Sequence, residues 1–148
     1  MGHRIYVASS WRNRYQPGLV AKLKEEGHLV YDFRNPRAGF AWKQISEEWE
    51  SWSTEEFRDA LRHPYAEAGF AADFDALCTA EVLVLLLPCG RSAHVEAGYF
   101  RGLGGPVIVH IPEHQEPELM YKMFNAITAD DETLVQLLSL PLEQLEAV

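Results

Sequence analysis

Six consecutive apolar residues, 82–87, constrain the fold of this chain more than any other stretch. The run shows no alternation of polar and apolar positions, and Pro88 and Gly90 follow it directly. Such a strand is buried on both faces, which is typical of a parallel sheet covered by helices. In open sheets of this class, ligands bind outside the carboxyl ends of the strands. We therefore expect a binding site at the turn that follows Leu87.

Other short apolar runs alternate with helical patterns along the chain. Strands are predicted over residues 4–10, 28–33, 106–111 and 126–128. Helices are predicted over residues 17–26, 54–62, 64–79, 118–125 and 131–138, and Ser92 is expected to cap a further helix after the central strand. Strands that alternate with helices predict a three-layer, doubly wound α/β fold with a parallel five-stranded sheet, flavodoxin-like or Rossmann-like.

Length and charge narrow the class of protein. A chain of 148 residues predicts a single domain, 1–148, with a core that needs neither disulfides nor metal. The formal net charge of −9 argues against a nucleic-acid surface, which needs clustered Lys and Arg. Cys78 and Cys89 do not form a disulfide framework, and we expect neither a signal peptide nor a membrane span. A cytoplasmic location is therefore expected.

Glu96 is the candidate nucleophile. It lies four residues after Ser92, on the same helix face and near the positive end of the helix dipole, where a carboxylate stays ionised. Small neighbours such as Ala93 and Ala97 allow that helix to approach the sheet closely. Tyr6 is expected to emerge from an adjacent strand at the same end and to hydrogen-bond the carboxylate. The alternative is an acid favoured near a helix start by the dipole alone.

These residues resemble a known family, the nucleoside 2-deoxyribosyltransferases and the related nucleotide N-glycoside hydrolases. The resemblance covers most of the chain and depends on the order and spacing of four segments. They are residues 5–11 (IYVASSW), residues 72–77 (ADFDAL) with Ala80 and Glu81, residues 90–99 (GRSAHVEAGY) and residues 106–109 (PVIV).

The resemblance implies a reaction at the anomeric carbon of a nucleoside. Glu96 attacks that carbon, Asp73 protonates or holds the leaving base, and Tyr6 positions the glutamate. Asp75 is the alternative acid if Asp73 is only an exposed helix residue. The substrate-binding residues that the resemblance implies are Ser9, Ser10, Trp11, Gly90, Arg91 and Ser92. It also implies a homodimer or higher homo-oligomer, and a reaction without metal or redox cofactor.

The chain departs from the transferase pattern beside the candidate nucleophile. Gly90 and Arg91 stand where the transferases carry an acidic, base-reading residue. A helix N-terminus with Arg91 and Ser92 is suited to hold a 5′-monophosphate, which favours hydrolysis of a nucleotide over base exchange. The alternatives are a surface arginine beside an ordinary cap, base exchange, a non-catalytic nucleotide sensor and a structural role.

Two further features have ordinary explanations. His94 and Glu96 form an H-x-E string like that of zinc deaminases, but the P-C-x-x-C pair those enzymes need downstream is absent from the sequence, so we expect no metal site. Residues 35–52 are rich in aromatic side chains, from Phe40 to Trp52. This stretch is interpreted either as a satellite core or as a ligand or subunit contact, the former being favoured.

Overall fold

The computed structural model describes residues 2–34 and 39–147. These residues fall into two compact units, one made of the chain up to Asp32 together with the chain from Leu77 onward, the other of residues 33–76. The first unit carries the sheet, and the second carries most of the aromatic stretch. The single-domain organisation expected from chain length stays a prediction.

Five parallel strands form the sheet of the first unit. They are β1 (Arg4–Ala8), β2 (Leu29–Tyr31), β3 (Val82–Leu86), β4 (Val107–His110) and β5 (Ala126–Thr128). Their order is β2-β1-β3-β4-β5, and every neighbouring pair is parallel. This is the flavodoxin-like order. The predicted three-layer α/β fold is confirmed.

The described residues form six α-helices: α1 (Gln16–Glu25), α2 (Thr54–Ala60), α3 (Pro64–Thr79), α4 (Arg91–Gly102), α5 (Asp131–Leu138) and α6 (Leu142–Glu146). Ser53 and Glu56 form the capping box expected at the start of α2, and Asp130 caps α5 as predicted. Gly27, with φ of +93°, allows the sharp turn that leads from α1 into β2.

The core lies on both faces of the sheet because successive strand residues point to opposite sides. Ile5 and Val7 of β1 join one buried cluster with side chains of α1, α5 and α6. Tyr6, between them, faces the other side, where α4 packs on β1, β3 and β4. Buried Ala93 and Ala97 line α4, and small side chains let a helix approach a sheet closely. Tyr6 and α4 are therefore brought together on one face.

The structure corrects three local predictions. Gly90 rather than Ser92 is the N-cap of α4, without a side-chain cap, and Ser92 lies inside the first turn. The segment expected to be a helix over 118–125 is a short 3-10 helix, Leu119–Met123. Helix α6 was missed, because its five residues are too short to show a helical period.

The second unit contains an aromatic cluster centred on Trp42. Its ring meets those of Phe40, Trp52 and Phe57 edge-on, at centroid distances of 4.7, 5.9 and 5.6 Å. Edge-to-face pairs of this kind stabilise a core beyond the area they bury. The arrangement favours the interpretation of the stretch as a satellite core, although residues 35–38 of it lie outside the described part of the chain.

Within residues 2–34 and 39–147, none of the helices combines the length and apolar character needed to cross a bilayer.

Candidate active site

Strands β1 and β3 are neighbours in the sheet, yet the chain leaves them in opposite directions. From β1 it passes to β2 on one side, and from β3 to β4 on the other. The crevice at such a reversal, outside the carboxyl ends of the strands, is where doubly wound sheets bind ligands. The register pairs Ala8, the last residue of β1, with Leu85 of β3. The loops after Ala8 and Leu86 therefore leave the sheet side by side.

Glu96 and Tyr6 meet at this place. The Tyr6 hydroxyl donates a hydrogen bond to Oε2 of Glu96. This is the contact that the sequence predicted. Tyr6 is only 1% exposed, and its ring stacks on that of Tyr31 at a centroid distance of 5.3 Å. The donor is thus held rigidly, while the Glu96 carboxylate is half-buried.

Glu96 lies further from the positive end of the α4 dipole than the sequence predicted. Because α4 begins at Arg91, Glu96 lies in its second turn and not in the first, as expected from a Ser92 cap. The influence of the helix dipole is largely confined to the first turn. The dipole therefore acts on Glu96 less strongly than the sequence predicted, and the Tyr6 hydroxyl orients its carboxylate.

The loop after β1 is tied to the end of β3 by two side chains. The Ser9 hydroxyl donates to the Leu86 carbonyl at 2.9 Å, and Asn13 Nδ2 donates to the Pro88 carbonyl at 3.1 Å. Asn13 Oδ1 also accepts the backbone N–H of Gln16 at 3.0 Å, at the start of α1. The sequence analysis missed Asn13, although an asparagine three residues before a helix start is a recognisable capping signal.

The remaining predicted binding residues lie on the same two loops. Ser10 Oγ accepts the backbone N–H of Arg12 at 3.1 Å, which shapes the loop after β1. Trp11, on that loop, is exposed. After β3, the N-cap Gly90 and the first two residues of α4, Arg91 and Ser92, are exposed. Their side chains are accessible to a ligand.

Cys89, His94 and Tyr121 form a row of polar side chains next to Glu96. The sequence did not predict that they belong to the site. Cys89 is half-buried, and burial together with the Glu96 carboxylate raises the pKa of its thiol to about 12. Its sulfur lies 3.7 Å from His94 Nδ1. His94 Nε2 lies 2.8 Å from the Tyr121 hydroxyl. The thiol is thus uncharged at neutral pH, and His94 joins α4 to the Leu119–Met123 segment.

A buried histidine, His110, lies at the carboxyl ends of β4 and β5 and joins them through its side chain. His110 Nε2 lies 2.9 Å from Asp131 Oδ1, and its Nδ1 lies 2.7 Å from the Thr128 hydroxyl oxygen. Both ring nitrogens are therefore used in joining β4, β5 and α5. This leaves the crevice between β1 and β3 as the better candidate for the site.

Asp73 and Asp75 lie on α3, in the second unit. Asp73 is half-buried and Asp75 is exposed. The role of Asp73 stays a prediction.

Among the described residues, no group of three or more His, Cys, Asp or Glu side chains is arranged to hold a metal ion.

Comparison with solved structures identifies proteins of the same architecture. A 2-deoxyribosyltransferase from the psychrotolerant bacterium Bacillus psychrosaccharolyticus matches with a TM-score of 0.60 and 21% identity, over 95% of this chain and 94% of the other. The chain has the fold of a 2-deoxyribosyltransferase. A conserved protein from Enterococcus faecalis V583 matches with a TM-score of 0.56 and 13% identity, over 94% and 98% of the two chains.

No family model matches this chain, and no curated protein does so either. The likeness to the 2-deoxyribosyltransferase extends over almost the whole of both chains, in agreement with the doubly wound fold predicted from the alternation of strands and helices. At this level of identity the likeness concerns the fold. Within one fold, the reaction that a protein catalyses is determined by the side chains of its site.

Proposed function

We propose that the chain is an N-glycosidase that cleaves the base–sugar bond of a nucleoside or nucleoside 5′-monophosphate through a covalent glycosyl-Glu96 intermediate. The observation that carries this proposal is the hydrogen bond from the buried Tyr6 hydroxyl to the Glu96 carboxylate in the crevice between β1 and β3. A carboxylate held by a rigid donor, in the crevice where this fold binds ligands, is suited to act as a nucleophile.

In the first step, a Glu96 carboxylate oxygen forms a bond to C1′ while the bond from C1′ to the base nitrogen breaks. The bonding electron pair leaves with the base, which takes a proton from Asp73. Positive charge develops on C1′ and the ring oxygen in the transition state, and the Glu96 carboxylate stabilises it. The Tyr6 hydrogen bond holds one carboxylate oxygen and so orients the group.

In the second step, water attacks C1′ and the bond to Glu96 breaks. The carboxylate of Asp73, left ionised by the first step, takes a proton from the water, and both acids return to their starting states. Side chains alone balance the protons and electrons of both steps. We therefore propose that the reaction runs without a metal or redox cofactor.

We also propose a cytoplasmic location. The absence of a disulfide framework from the sequence supports it.

The exposed residues of the two loops are proposed to bind the substrate. Backbone N–H groups at the start of α4, with Arg91 and Ser92, are suited to a 5′-phosphate. Trp11 offers an aromatic face on which a base can stack. Ser9 and Ser10 lie on the same loop, and we propose that their hydroxyl groups contact the sugar.

Base release from a panel of 2′-deoxynucleosides, ribonucleosides and their 5′-monophosphates, followed by chromatography, tests this proposal. Glu96→Gln preserves the shape of the side chain and removes the charge, so kcat is expected to fall at least about a thousandfold. The matched control is Glu67→Gln, which changes an exposed glutamate of α3. Base release that survives in Glu96→Gln would refute the mechanism.

Base exchange is the second candidate function, and the fold shared with a 2-deoxyribosyltransferase favours it. The same glycosyl-Glu96 intermediate would be resolved by a second base instead of water. Adding a different free base to the assay distinguishes the two, because exchange yields a new nucleoside and hydrolysis yields free sugar. Thermal stabilisation by a nucleotide without any turnover would instead support a non-catalytic sensor.

We further propose that the chain assembles as a homodimer or higher homo-oligomer. Val95 is 70% exposed on α4, Leu103 is 68% exposed directly after it, and Leu119 is 79% exposed on the Leu119–Met123 3-10 helix. Large exposed apolar side chains are a feature of interaction surfaces. Light scattering after size exclusion should give an oligomer for the wild type and a smaller species for Val95→Lys. Leu29→Lys, on edge strand β2, is the control.

A further inference from the structure

The His94 ring makes short hydrogen bonds through both of its nitrogens, in addition to the contact of Nδ1 with the Cys89 sulfur and the backbone bond from His94 N–H to the Gly90 carbonyl. Nδ1 lies 2.8 Å from the Gly90 carbonyl oxygen, and Nε2 lies 2.8 Å from the Tyr121 hydroxyl. A carbonyl oxygen only accepts, so Nδ1 carries the proton and donates it to Gly90. In the neutral imidazole, Nε2 then has a lone pair that accepts from Tyr121. One tautomer of the neutral ring therefore satisfies both contacts.

The surroundings of Tyr121 keep its hydroxyl able to donate. Burial raises the pKa of Tyr121, and the Cys89 thiol and the Glu118 carboxylate raise it further. The hydroxyl is therefore protonated at neutral pH. The Tyr121 ring also stacks on the His94 ring, with centroids 5.7 Å apart and planes 18° from parallel. Stacking and hydrogen bonding together restrict the imidazole to one orientation.

A second side chain of α4 holds the same segment. Arg101 Nε donates to the Met123 carbonyl at 2.8 Å. Arg101 lies seven residues after His94 and so on the same face of the helix. The Leu119–Met123 segment is thus attached to α4 through its middle residue and its last residue. His94 connects it to Gly90, the N-cap residue of α4.

We propose that His94 is a positioning residue, which holds the turn of residues 89–92 against Glu96 through its bond to the Gly90 carbonyl while Tyr121 fixes its ring. This inference rests on the proposed function, which assigns Gly90, Arg91 and Ser92 to substrate binding. The hydrogen bond from His94 to Gly90 keeps that turn in a single conformation. Substrate binding then does not include the entropic cost of ordering the turn.

Three variants separate the two bonds. His94→Ala removes both of them. His94→Asn places an amide N–H near the position of Nδ1, and so retains a donor to Gly90 while losing the contact with Tyr121. Tyr121→Phe removes only the hydroxyl. His114→Ala changes an exposed histidine and is the matched control.

Steady-state kinetics are measured on the nucleoside or 5′-monophosphate that the wild type cleaves fastest. His94→Ala is expected to raise KM about fivefold, the effect of one net hydrogen bond, with kcat changed less than about twofold. His94→Asn should return KM to within about twofold of the wild-type value, and Tyr121→Phe should lie between the two. Loss of folding stability alone would not give this division between KM and kcat. An unchanged KM in His94→Ala, or no recovery in His94→Asn, would overturn the proposal.

Backbone ¹⁵N relaxation provides a readout that needs no substrate. Order parameters of the Gly90 and Arg91 amides should be about 0.85 in the wild type and in His94→Asn, and should fall toward about 0.6 in His94→Ala. Equal values in all three proteins would refute the role of His94. If no compound of the panel is cleaved, the proposed function is wrong and this measurement still decides whether His94 orders the turn.

Discussion

Replacing Tyr6 by phenylalanine tests the contact on which the proposed chemistry depends. The change removes one hydroxyl and leaves the ring stacked on Tyr31. The lost bond is donated to a carboxylate, and bonds to charged groups contribute about 1.5–3 kcal/mol net. At about 1.4 kcal/mol for each factor of ten, the complete effect would be about 10- to 150-fold. Because Glu96 is half-buried, water replaces part of the bond. We expect kcat/KM to fall about 10- to 100-fold.

The assay is release of free base at saturating and subsaturating substrate, with circular dichroism to confirm that the variant is folded. Tyr65→Phe, at an exposed tyrosine of α3, is the matched control and should keep wild-type rates. The reasoning is wrong if Tyr6→Phe retains kcat/KM within about twofold of the wild-type value, because the hydroxyl would then neither orient nor stabilise the reacting carboxylate.

Three further predictions concern stability and reactivity. Burial and neighbouring His3 lower the pKa of buried His28 below its ordinary value of 6.5, and His28 Nδ1 accepts the His3 backbone N–H. As pH falls, His28 is protonated in the unfolded chain before it is protonated in the folded one, so the free energy of unfolding is constant above about pH 6.5 and decreases below it. Urea titrations at several pH values should show this decrease, and it should be smaller in His28→Asn. An equal dependence of the free energy of unfolding on pH in both proteins would contradict the prediction. Because the pKa of Cys89 is raised to about 12, iodoacetamide at pH 8 should alkylate exposed Cys78 well before Cys89, and equal labelling by mass spectrometry would be evidence against this. Leu134→Ala should lower the free energy of unfolding by about 2–5 kcal/mol in urea, since Leu134 is fully buried in the core, and a loss below about 1 kcal/mol would show that the core is not closely packed there.

The fold was predictable because its signals are local. Residues 82–87 form an uninterrupted apolar run, which distinguishes a strand buried on both faces from an amphipathic one. The Ser53 capping box and the Asp130 cap each depend on residues three apart, and both are observed. Gly90 was not recognised as the N-cap of α4, since an N-cap glycine has no side chain that announces it.

The candidate site was only partly predictable, because its contacts join residues far apart in sequence. The pairing of Tyr6 with Glu96 was anticipated from parallel strand ends that meet at one edge. The contact between His94 and Tyr121 spans 27 residues, and no local pattern marks it. Asn13 carried a local signal, but its bond to Pro88 depends on the pairing of β1 with β3. Such contacts require the register of the sheet as well as the sequence.

Trapping the glycosyl-enzyme tests the central claim most directly. A 2′-deoxy-2′-fluoroarabinosyl nucleoside slows the second step, because fluorine destabilises the positive charge that develops at C1′. Intact and peptide mass spectrometry should then show one added fluorosugar, carried by the peptide that contains Glu96 and absent from Glu96→Gln. Base release from the natural substrate with no adduct in the trapping experiment, or an adduct on a different residue, would contradict the account.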